Sequence, residues 1–161
     1  MLNILFICTG NICRSPMAEG VLKKILRDKH LHNQVAVCSA GTLEMQDAPA
    51  SENSVKACQT EFQVDISNHK SQVISKDLLS HADIVLCMAK THSETIDWAF
   101  PDYSYKCDLL KGYAGIQSVN LDVTDPIGGA LEEYIQICHE ISELLDKSMG
   151  KLLAEIELNN A

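Results

Sequence analysis

Residues 8–15 read Cys8-Thr9-Gly10-Asn11-Ile12-Cys13-Arg14-Ser15, and the rest of the chain is organised around this stretch. It follows a short apolar run, Leu2 to Ile7, which is typical of a strand buried on both faces. Apolar residues then recur at helical spacing from about Met17 to Arg27. The pattern therefore predicts a strand that leads into a tight loop, and a helix that begins soon after the loop.

The remainder of the chain alternates between strand and helix patterns in the same way. Further strands are predicted at Gln34–Cys38, Ala82–Met88 and Tyr105–Leu109. Helices are predicted at Ser51–Phe62, Ser75–Ser80 and Thr91–Phe100, with a long last helix from Leu131 that ends or bends at Gly150 and a helical tail at Lys151–Leu158. We therefore predict a single three-layer α/β domain over residues 1–161, with about four twisted parallel strands flanked by helices.

Composition and charge argue against several classes of protein. The formal net charge of −9 disfavours nucleic acid and anionic membrane surfaces as partners, because both require a basic patch. No apolar run approaches the roughly 18 residues that span a bilayer, and the N-terminal run is too short for a signal peptide. The seven cysteines are odd in number and lack zinc-ligand spacing, which favours the reducing cytoplasm over a disulfide framework or a metal site.

The loop places a thiol where it can be activated. A helix that begins just after the loop directs its unpaired N–H groups and its positive dipole end toward Cys8. Arg14 adds a fixed cation and Ser15 a hydroxyl donor, and all three groups favour the thiolate form of the cysteine. We therefore expect Cys8 to act as a nucleophile.

The same loop has the features of a phosphate cradle. The backbone N–H groups of residues 9–14 can surround the oxygens of a phosphoryl group, and the planar fork of Arg14 can bind two of them. Gly10 and Asn11 tolerate the left-handed conformation that such a curled loop needs. This arrangement requires neither a metal nor a cofactor. The candidate phosphate-binding residues are Thr9, Gly10, Asn11, Ile12, Cys13 and Arg14.

Attack on phosphorus also needs an acid for the leaving group, and Asp125 is the candidate. It lies in a loop directly before Pro126, which restricts its backbone to extended conformations. Gly128 and Gly129 then allow the chain to turn into the last helix. Asp125 would act first as general acid and then as general base, activating the water that hydrolyses a thiophosphate intermediate.

Residues 8–19 resemble the signature of the low-molecular-weight protein tyrosine phosphatase family. Three further segments fall in the order and spacing of that family, namely residues 39–42, residues 82–88 and Asp125-Pro126. The resemblance covers essentially the whole chain. It implies a four-stranded parallel sheet and a phosphorylated protein or peptide as substrate, and we expect a monomer or weak dimer.

The resemblance also assigns roles to individual residues. It implies Cys8 as nucleophile, Arg14 as the group that binds the transition state and Asp125 as general acid. It further implies that Asn11 and Ser39 hold the shape of the loop and that Ser15 activates the nucleophile. His69 resembles a structural histidine of the same network. Gln72 stands where many members have an arginine, which predicts a different support at that point.

Different parts of the site favour different phosphorylated residues as substrate. Tyrosine-directed members usually carry aromatic residues after Asp-Pro, whereas Ile127-Gly128-Gly129 resembles the bacterial protein arginine phosphatase branch. That branch has a threonine at the position of Ile12, and an aliphatic side chain there packs better against an aromatic ring. We give the loop more weight and expect phosphotyrosine, with phosphoarginine as the alternative. Leu43, Glu44 and Met45 follow the second strand, where the cleft wall of the family lies.

Cys13 lies in the same loop as Cys8, and a loop that curls around an anion can bring the two sulfurs together. Following the family, we predict that oxidation joins Cys8 to Cys13 reversibly and protects the nucleophile. The alternative is that Cys13 is simply a buried residue at the start of the helix.

Two other functions compete with phosphatase activity. Arsenate reductases share the fold and the nucleophile but relay a disulfide through two more cysteines after the third strand. Cys87 is available for one of these positions, but Glu94 and its neighbours offer no thiol for the other. A non-catalytic phosphate-binding module or redox sensor would fit a chain without Asp125, and this chain has it.

Overall fold

A parallel four-stranded sheet forms the centre of the computed structural model, which describes residues 1–161. The strands are β1 (Leu2–Cys8), β2 (Val35–Gly41), β3 (Ile84–Cys87) and β4 (Cys107–Leu109), in the spatial order β2-β1-β3-β4. The helices are α1 (Arg14–Asp28), α2 (Glu52–Phe62), α3 (Lys76–His81), α4 (Lys90–Ala99), α5 (Leu110–Tyr113) and α6 (Leu131–Asn160), with a 3₁₀ helix at Pro101–Lys106. The predicted α/β class with flanking helices is confirmed.

The central strand β1 is covered on both faces, as its continuous apolar run predicts. Phe6 belongs to a large core in which the sheet packs against α1 and α6, and α2 packs against these two helices. Leu5 points to the opposite face, where it joins Leu79 of α3 and Ile96 of α4 in a smaller core. Successive residues of one strand therefore supply both cores, and the molecule has three layers.

Several predicted boundaries differ from the structure. The strand predicted at Tyr105–Leu109 begins only at Cys107, because the 3₁₀ helix that starts at Pro101 continues to Lys106. The last helix does not end at Gly150 but continues to Asn160, so the predicted helical tail at Lys151–Leu158 is part of it. Glycine inside a helix costs about 1 kcal/mol relative to alanine. The helix continues because Leu152 and Ile156 extend its buried apolar stripe against the core.

The carboxyl ends of the strands meet at one edge of the sheet, and the loop at residues 8–15 lies there. Strand β2 runs three residues beyond its predicted end because Cys8 pairs with Gly41 in register. Helix α1 begins at Arg14, earlier than predicted, and takes the proline at position 16 into its first turn, where proline is tolerated. None of the helices is both long enough and apolar enough to cross a membrane.

Candidate active site

The loop after β1 is held by its carbonyl groups. They accept hydrogen bonds from backbone N–H groups of the surrounding chain. The N–H of Thr42 donates to the carbonyl of Cys8, and that of Leu43 donates to the carbonyl of Thr9. The carbonyls of Ile12 and Cys13 accept in the same way from Ser51 and Met17. None of the backbone N–H groups of residues 9–14 donates a hydrogen bond within the protein. Because the carbonyls are used by the scaffold and the amides are not, the loop offers a set of donors for an anion.

Asn11 is the centre of the network that fixes the loop. It is fully buried and left-handed, with φ of 56°. Its side-chain Nδ2 donates to the Oγ atoms of Ser15 (2.7 Å) and Ser39 (2.9 Å), and its Oδ1 accepts from the N–H of Gln72 (3.0 Å). The Nε2 of His69 donates to the Asn11 carbonyl at 2.7 Å. Every polar group of the Asn11 side chain therefore has a partner.

The hydrogen bonds that start at Asn11 lead through Ser15 to the sulfur of Cys8. Because Ser15 accepts from Asn11, its own hydrogen can point to Cys8 Sγ, which lies 2.8 Å from Ser15 Oγ. Ser39 accepts from Asn11 in the same way and donates to the carboxylate of Glu19. The structure thus holds the Ser15 hydroxyl as a donor to the buried sulfur.

The glycine at the end of β2 is required by the close approach of the loop. A Cβ atom on Gly41 would lie 2.5 Å from the carbonyl oxygen of Thr9 and 3.0 Å from the nitrogen of Asn11. Both distances are shorter than van der Waals contact, and both atoms belong to the backbone, which cannot rotate away. The segment at residues 39–42 therefore shapes the loop through its glycine as well as through Ser39.

Arg14 lies on the wall of the cleft beside Asp125. Its Nη1 donates to the carbonyl of Val123 at 2.9 Å, and its Nη2 lies 3.3 Å from Asp125 Oδ2 and 3.3 Å from Thr9 Oγ1. Its Nε is buried and has no partner within the protein. Asp125 itself accepts from the N–H of Ile127 at 3.1 Å, an Asx turn that follows from the Asp-Pro sequence. The structure therefore brings the predicted acid and the predicted cation together.

His92 is a buried histidine that contacts this cluster. Its Nδ1 accepts from the N–H of Ala89 at 3.0 Å, so its Nε2 carries the hydrogen and donates to Thr9 Oγ1 at 2.8 Å. Burial lowers the pKa of His92 to about 4, and the nearby charge of Arg14 contributes in the same direction. The side chain is therefore a neutral donor at physiological pH.

The mouth of the cleft is mainly apolar. Ile12 and Ile127 face it together with Leu43 and Met45, which the sequence predicted for this wall. Glu44 was predicted with them but does not line the cleft. The one carboxylate among the lining residues is Asp125.

Cys13 contacts two hydroxyl groups outside the loop. Its Sγ lies 3.4 Å from Ser51 Oγ, the N-cap of α2, and 3.6 Å from the hydroxyl of Tyr134 on α6. Burial and the hydrogen bond to Cys13 raise the pKa of Tyr134. Both Cys8 and Cys13 are free thiols in this structure, so their disulfide stays a prediction.

Three contacts of the site were missed from the sequence. The pairing of His92 with Thr9 depends on how α4 docks beside β1, which the sequence does not specify. Glu19 stands one helical turn after Ser15, and this spacing is the sequence signal that could have identified its contact with the site. Val123 contributes a backbone carbonyl, which any residue type supplies and no sequence pattern reveals.

The site combines a thiol, a loop whose backbone N–H groups have no partner within the protein, an arginine and a carboxylate. These groups together define a cysteine-based phosphatase. The model of the family described as low molecular weight phosphotyrosine protein phosphatase matches residues 3–160. The chain therefore belongs to this family.

The relatives of this chain are named for different activities. The chain is similar to a protein-arginine-phosphatase of Bacillus subtilis (strain 168), with 38% identity over 145 residues that cover 89% of this chain and 92% of that protein. It is similar to arsenate reductase 2 of Staphylococcus haemolyticus (strain JCSC1435), with 32% identity over 143 residues, 89% of this chain and 92% of that protein. A solved low molecular weight protein tyrosine phosphatase from T. tengcongensis superposes with a TM-score of 0.87 and 35% identity, and the match covers 94% of this chain and 99% of that one.

Proposed function

We propose that this protein hydrolyses phosphotyrosine in proteins or peptides through a cysteinyl-phosphate intermediate, without a metal or cofactor. The observation that carries the choice of tyrosine is the apolar mouth of the cleft. Ile12, Leu43, Met45 and Ile127 line it and offer a surface against which a phenyl ring can pack. The phosphoryl group at the end of that ring would enter the loop above Cys8.

The loop supplies the donors for the phosphoryl oxygens. The free amides of residues 9–14 and the guanidinium of Arg14 form the proposed binding set. The Nε of Arg14 is buried without a partner in the protein, a state that is costly unless a ligand satisfies the donor. A bound phosphoryl group meets this need, since a guanidinium binds two of its oxygens at once.

In the first step the Cys8 thiolate attacks phosphorus in line with the leaving oxygen. The S–P bond forms as the P–O bond to the tyrosine breaks, and Asp125 transfers its proton to the departing phenolate oxygen. The five-coordinate transition state carries extra negative charge on its equatorial oxygens, which the loop amides and Arg14 stabilise. The products of this step are free tyrosine side chain and phosphorylated Cys8.

In the second step water releases the phosphate. The Asp125 carboxylate takes a proton from the water as its oxygen attacks phosphorus, and the S–P bond breaks. The electron pair returns to Cys8 as a thiolate. The hydroxyl of Ser15, 2.8 Å from the sulfur and held as a donor by Asn11, stabilises this leaving group.

Phosphoarginine is the second candidate substrate. The similarity to the protein-arginine-phosphatase of Bacillus subtilis and the Ile127-Gly128-Gly129 segment favour it. A guanidinium substrate needs a carboxylate partner, however, and Asp125 is the one that lines the cleft. Because Asp125 already lies 3.3 Å from Arg14 and is needed as the acid, we favour the aromatic substrate.

Arsenate reduction has less support from the thiols of this chain. Cys87 is fully buried, and burial raises its pKa well above the usual range of a cysteine. Burial also raises the pKa of Cys107, the thiol on the neighbouring strand, to about 11. Helix α4, which follows Cys87, contains no cysteine. The chain therefore lacks a reactive pair of thiols after β3 to complete a relay.

A paired assay tests the proposal. Two peptides of otherwise identical sequence, one with phosphotyrosine and one with phosphoarginine, are compared by phosphate release. We expect a higher kcat/KM on phosphotyrosine, and no catalytic turnover of either peptide by Cys8→Ser. A preference for phosphoarginine would overturn the choice of substrate, and turnover that persists in Cys8→Ser would overturn the mechanism.

Ile12→Thr tests the role of the apolar wall directly. It shortens the side chain and adds a hydroxyl, so we expect kcat/KM on phosphotyrosine to fall and the ratio of the two activities to move toward phosphoarginine. Leu158→Thr is the matched control, because it makes a similar change at an exposed position on α6 outside the cleft. An unchanged ratio in Ile12→Thr would contradict the argument.

A further inference from the structure

We propose that His92 is a positioning residue that holds Thr9, and through it the guanidinium of Arg14, in the geometry that binds the phosphoryl group. The inference rests on the proposed function and assigns a part in it to a residue outside the loop. His92 lies in the first turn of α4, far from residues 8–15 in the chain, and its side chain is 2% exposed.

The contacts of the imidazole leave a single tautomer. A backbone N–H can only donate, so the contact from Ala89 at 3.0 Å requires that the Nδ1 of His92 accepts. The ring hydrogen is then on Nε2, which lies 2.8 Å from Thr9 Oγ1. His92 therefore donates to Thr9, and the hydroxyl oxygen of Thr9 accepts.

Thr9 receives a second donor from the catalytic side. The Nη2 of Arg14 lies 3.3 Å from the same Oγ1 atom. A hydroxyl oxygen has two lone pairs, and the two donors use both of them. The hydrogen of the Thr9 hydroxyl must then point elsewhere, and Thr9 lines the cleft, so this hydrogen is available to an oxygen of a bound phosphoryl group.

The guanidinium of Arg14 is supported on two sides by this arrangement. The Val123 carbonyl accepts from Nη1 on one side, and the Thr9 hydroxyl, held by His92, accepts from Nη2 on the other. A protonated histidine at this position would repel Arg14, whereas the neutral ring donates without adding charge. Burial lowers the pKa of His92 to about 4, which agrees with this neutral role.

Two substitutions separate the two hydrogen bonds of His92. In His92→Asn the amide oxygen can take the place of Nδ1 and accept from Ala89, but no donor reaches Thr9. In His92→Gln the amide nitrogen can take the place of Nε2 and donate to Thr9, but no acceptor is left for Ala89. Thr91→Asn, at the exposed neighbouring position, is the control for substitution in this turn of α4.

The proposal predicts that His92→Asn and His92→Gln rank in opposite orders for kcat and for Tm. We expect kcat of His92→Asn to fall about tenfold below that of His92→Gln, the effect of one lost hydrogen bond in the transition state. We expect Tm to be higher in His92→Asn than in His92→Gln. A histidine that only caps α4 would give the reverse order of activity, with His92→Gln the weaker enzyme, and that result would overturn the proposal.

A double-mutant cycle tests whether His92 acts through Thr9. Thr9→Val removes the hydroxyl at nearly constant shape, so His92→Asn should cost little further kcat in that background. Costs that simply add would show that His92 does not act through Thr9. The same variants are titrated with inorganic phosphate and followed by the shift in Tm.

Phosphate binding distinguishes failure of this inference from failure of the proposed function. Weaker binding of inorganic phosphate in His92→Asn than in His92→Gln supports the inference, even if the wild-type protein turns over neither phosphopeptide. If the wild-type protein hydrolyses phosphopeptides and the two variants show equal phosphate binding and equal kcat, the inference on His92 is refuted while the proposed function stands.

Discussion

Asn11→Ala should lower both stability and activity, because the Asn11 side chain carries three hydrogen bonds inside the protein. Two of its bonds go to the hydroxyl oxygens of Ser15 and Ser39, and each is worth about 1 kcal/mol. The third satisfies the N–H of Gln72, and a donor left unpaired costs about 1–3 kcal/mol. The total loss in the free energy of unfolding is therefore about 3–5 kcal/mol.

Asn11→Gly separates the hydrogen bonds from the backbone conformation. It loses the same three bonds, but glycine adopts the φ of 56° at this position without the clash of a Cβ atom. Asn11→Ala should therefore be less stable than Asn11→Gly by about 1 kcal/mol. Urea unfolding measures both values, and Asn68→Ala, at an exposed asparagine of a nearby loop, should stay within about 0.5 kcal/mol of wild type.

The activity of the same two variants is the second test of the role of Asn11. Without Asn11 the hydroxyl of Ser15 is no longer held as a donor to Cys8, so kcat should fall about tenfold in both variants at a temperature where both are folded. The reasoning would be refuted if Asn11→Gly unfolded at the wild-type urea concentration with wild-type kcat. The network would then contribute neither to the loop nor to the nucleophile.

Three further predictions concern the acid, the oxidised state and the response to pH. Asp125→Asn should lose kcat/KM mainly on phosphate esters with poor leaving groups and little on esters with good ones, because kcat/KM reports the step in which the leaving group departs; an equal loss on both would place the acid elsewhere. Mild peroxide should produce a linked Cys8–Cys13 peptide in a digest, and a Cys8 sulfonate without that peptide would contradict the prediction. The pKa of His92 is lowered from 6.5 to about 4, so stability should be fully present above about pH 6.5 and fall by about 3 kcal/mol as the pH drops to 4. His92→Asn should show a shallower loss of stability over this range in urea unfolding measured at successive pH values, and a slope equal to that of wild type would count against the assignment.

Much of the site was predictable because its chemistry is concentrated in short segments. The thiol, the arginine and the left-handed Asn11 all lie within the single short loop at residues 8–15. Asp125 is distant in sequence, but both segments follow strands or precede helices at the same edge of a parallel sheet. That topology brings Asp125 to Arg14, and their side chains lie 3.3 Å apart.

The missed features depend on packing between distant segments. The N-terminus of α4 places His92 beside Thr9 only because β3 pairs with β1, and spacing in the sequence does not specify that contact. The continuation of α6 past Gly150 has a similar origin. The glycine predicted an end or a bend, but the helix continues because the buried side chains of Leu152 and Ile156 outweigh the local cost of glycine.

The formation of phosphocysteine at Cys8 is the central claim, and rapid quench with peptide mass spectrometry tests it most directly. Asp125→Asn is mixed with a phosphate ester that has a good leaving group, so that the first step proceeds without the acid while hydrolysis by water is slowed. We predict a phosphoryl group on the peptide that contains Cys8, appearing with the first turnover and absent in Cys8→Ala. Full turnover with no phosphorylated Cys8 peptide at any time, or a phosphoryl group on another residue, would contradict the account.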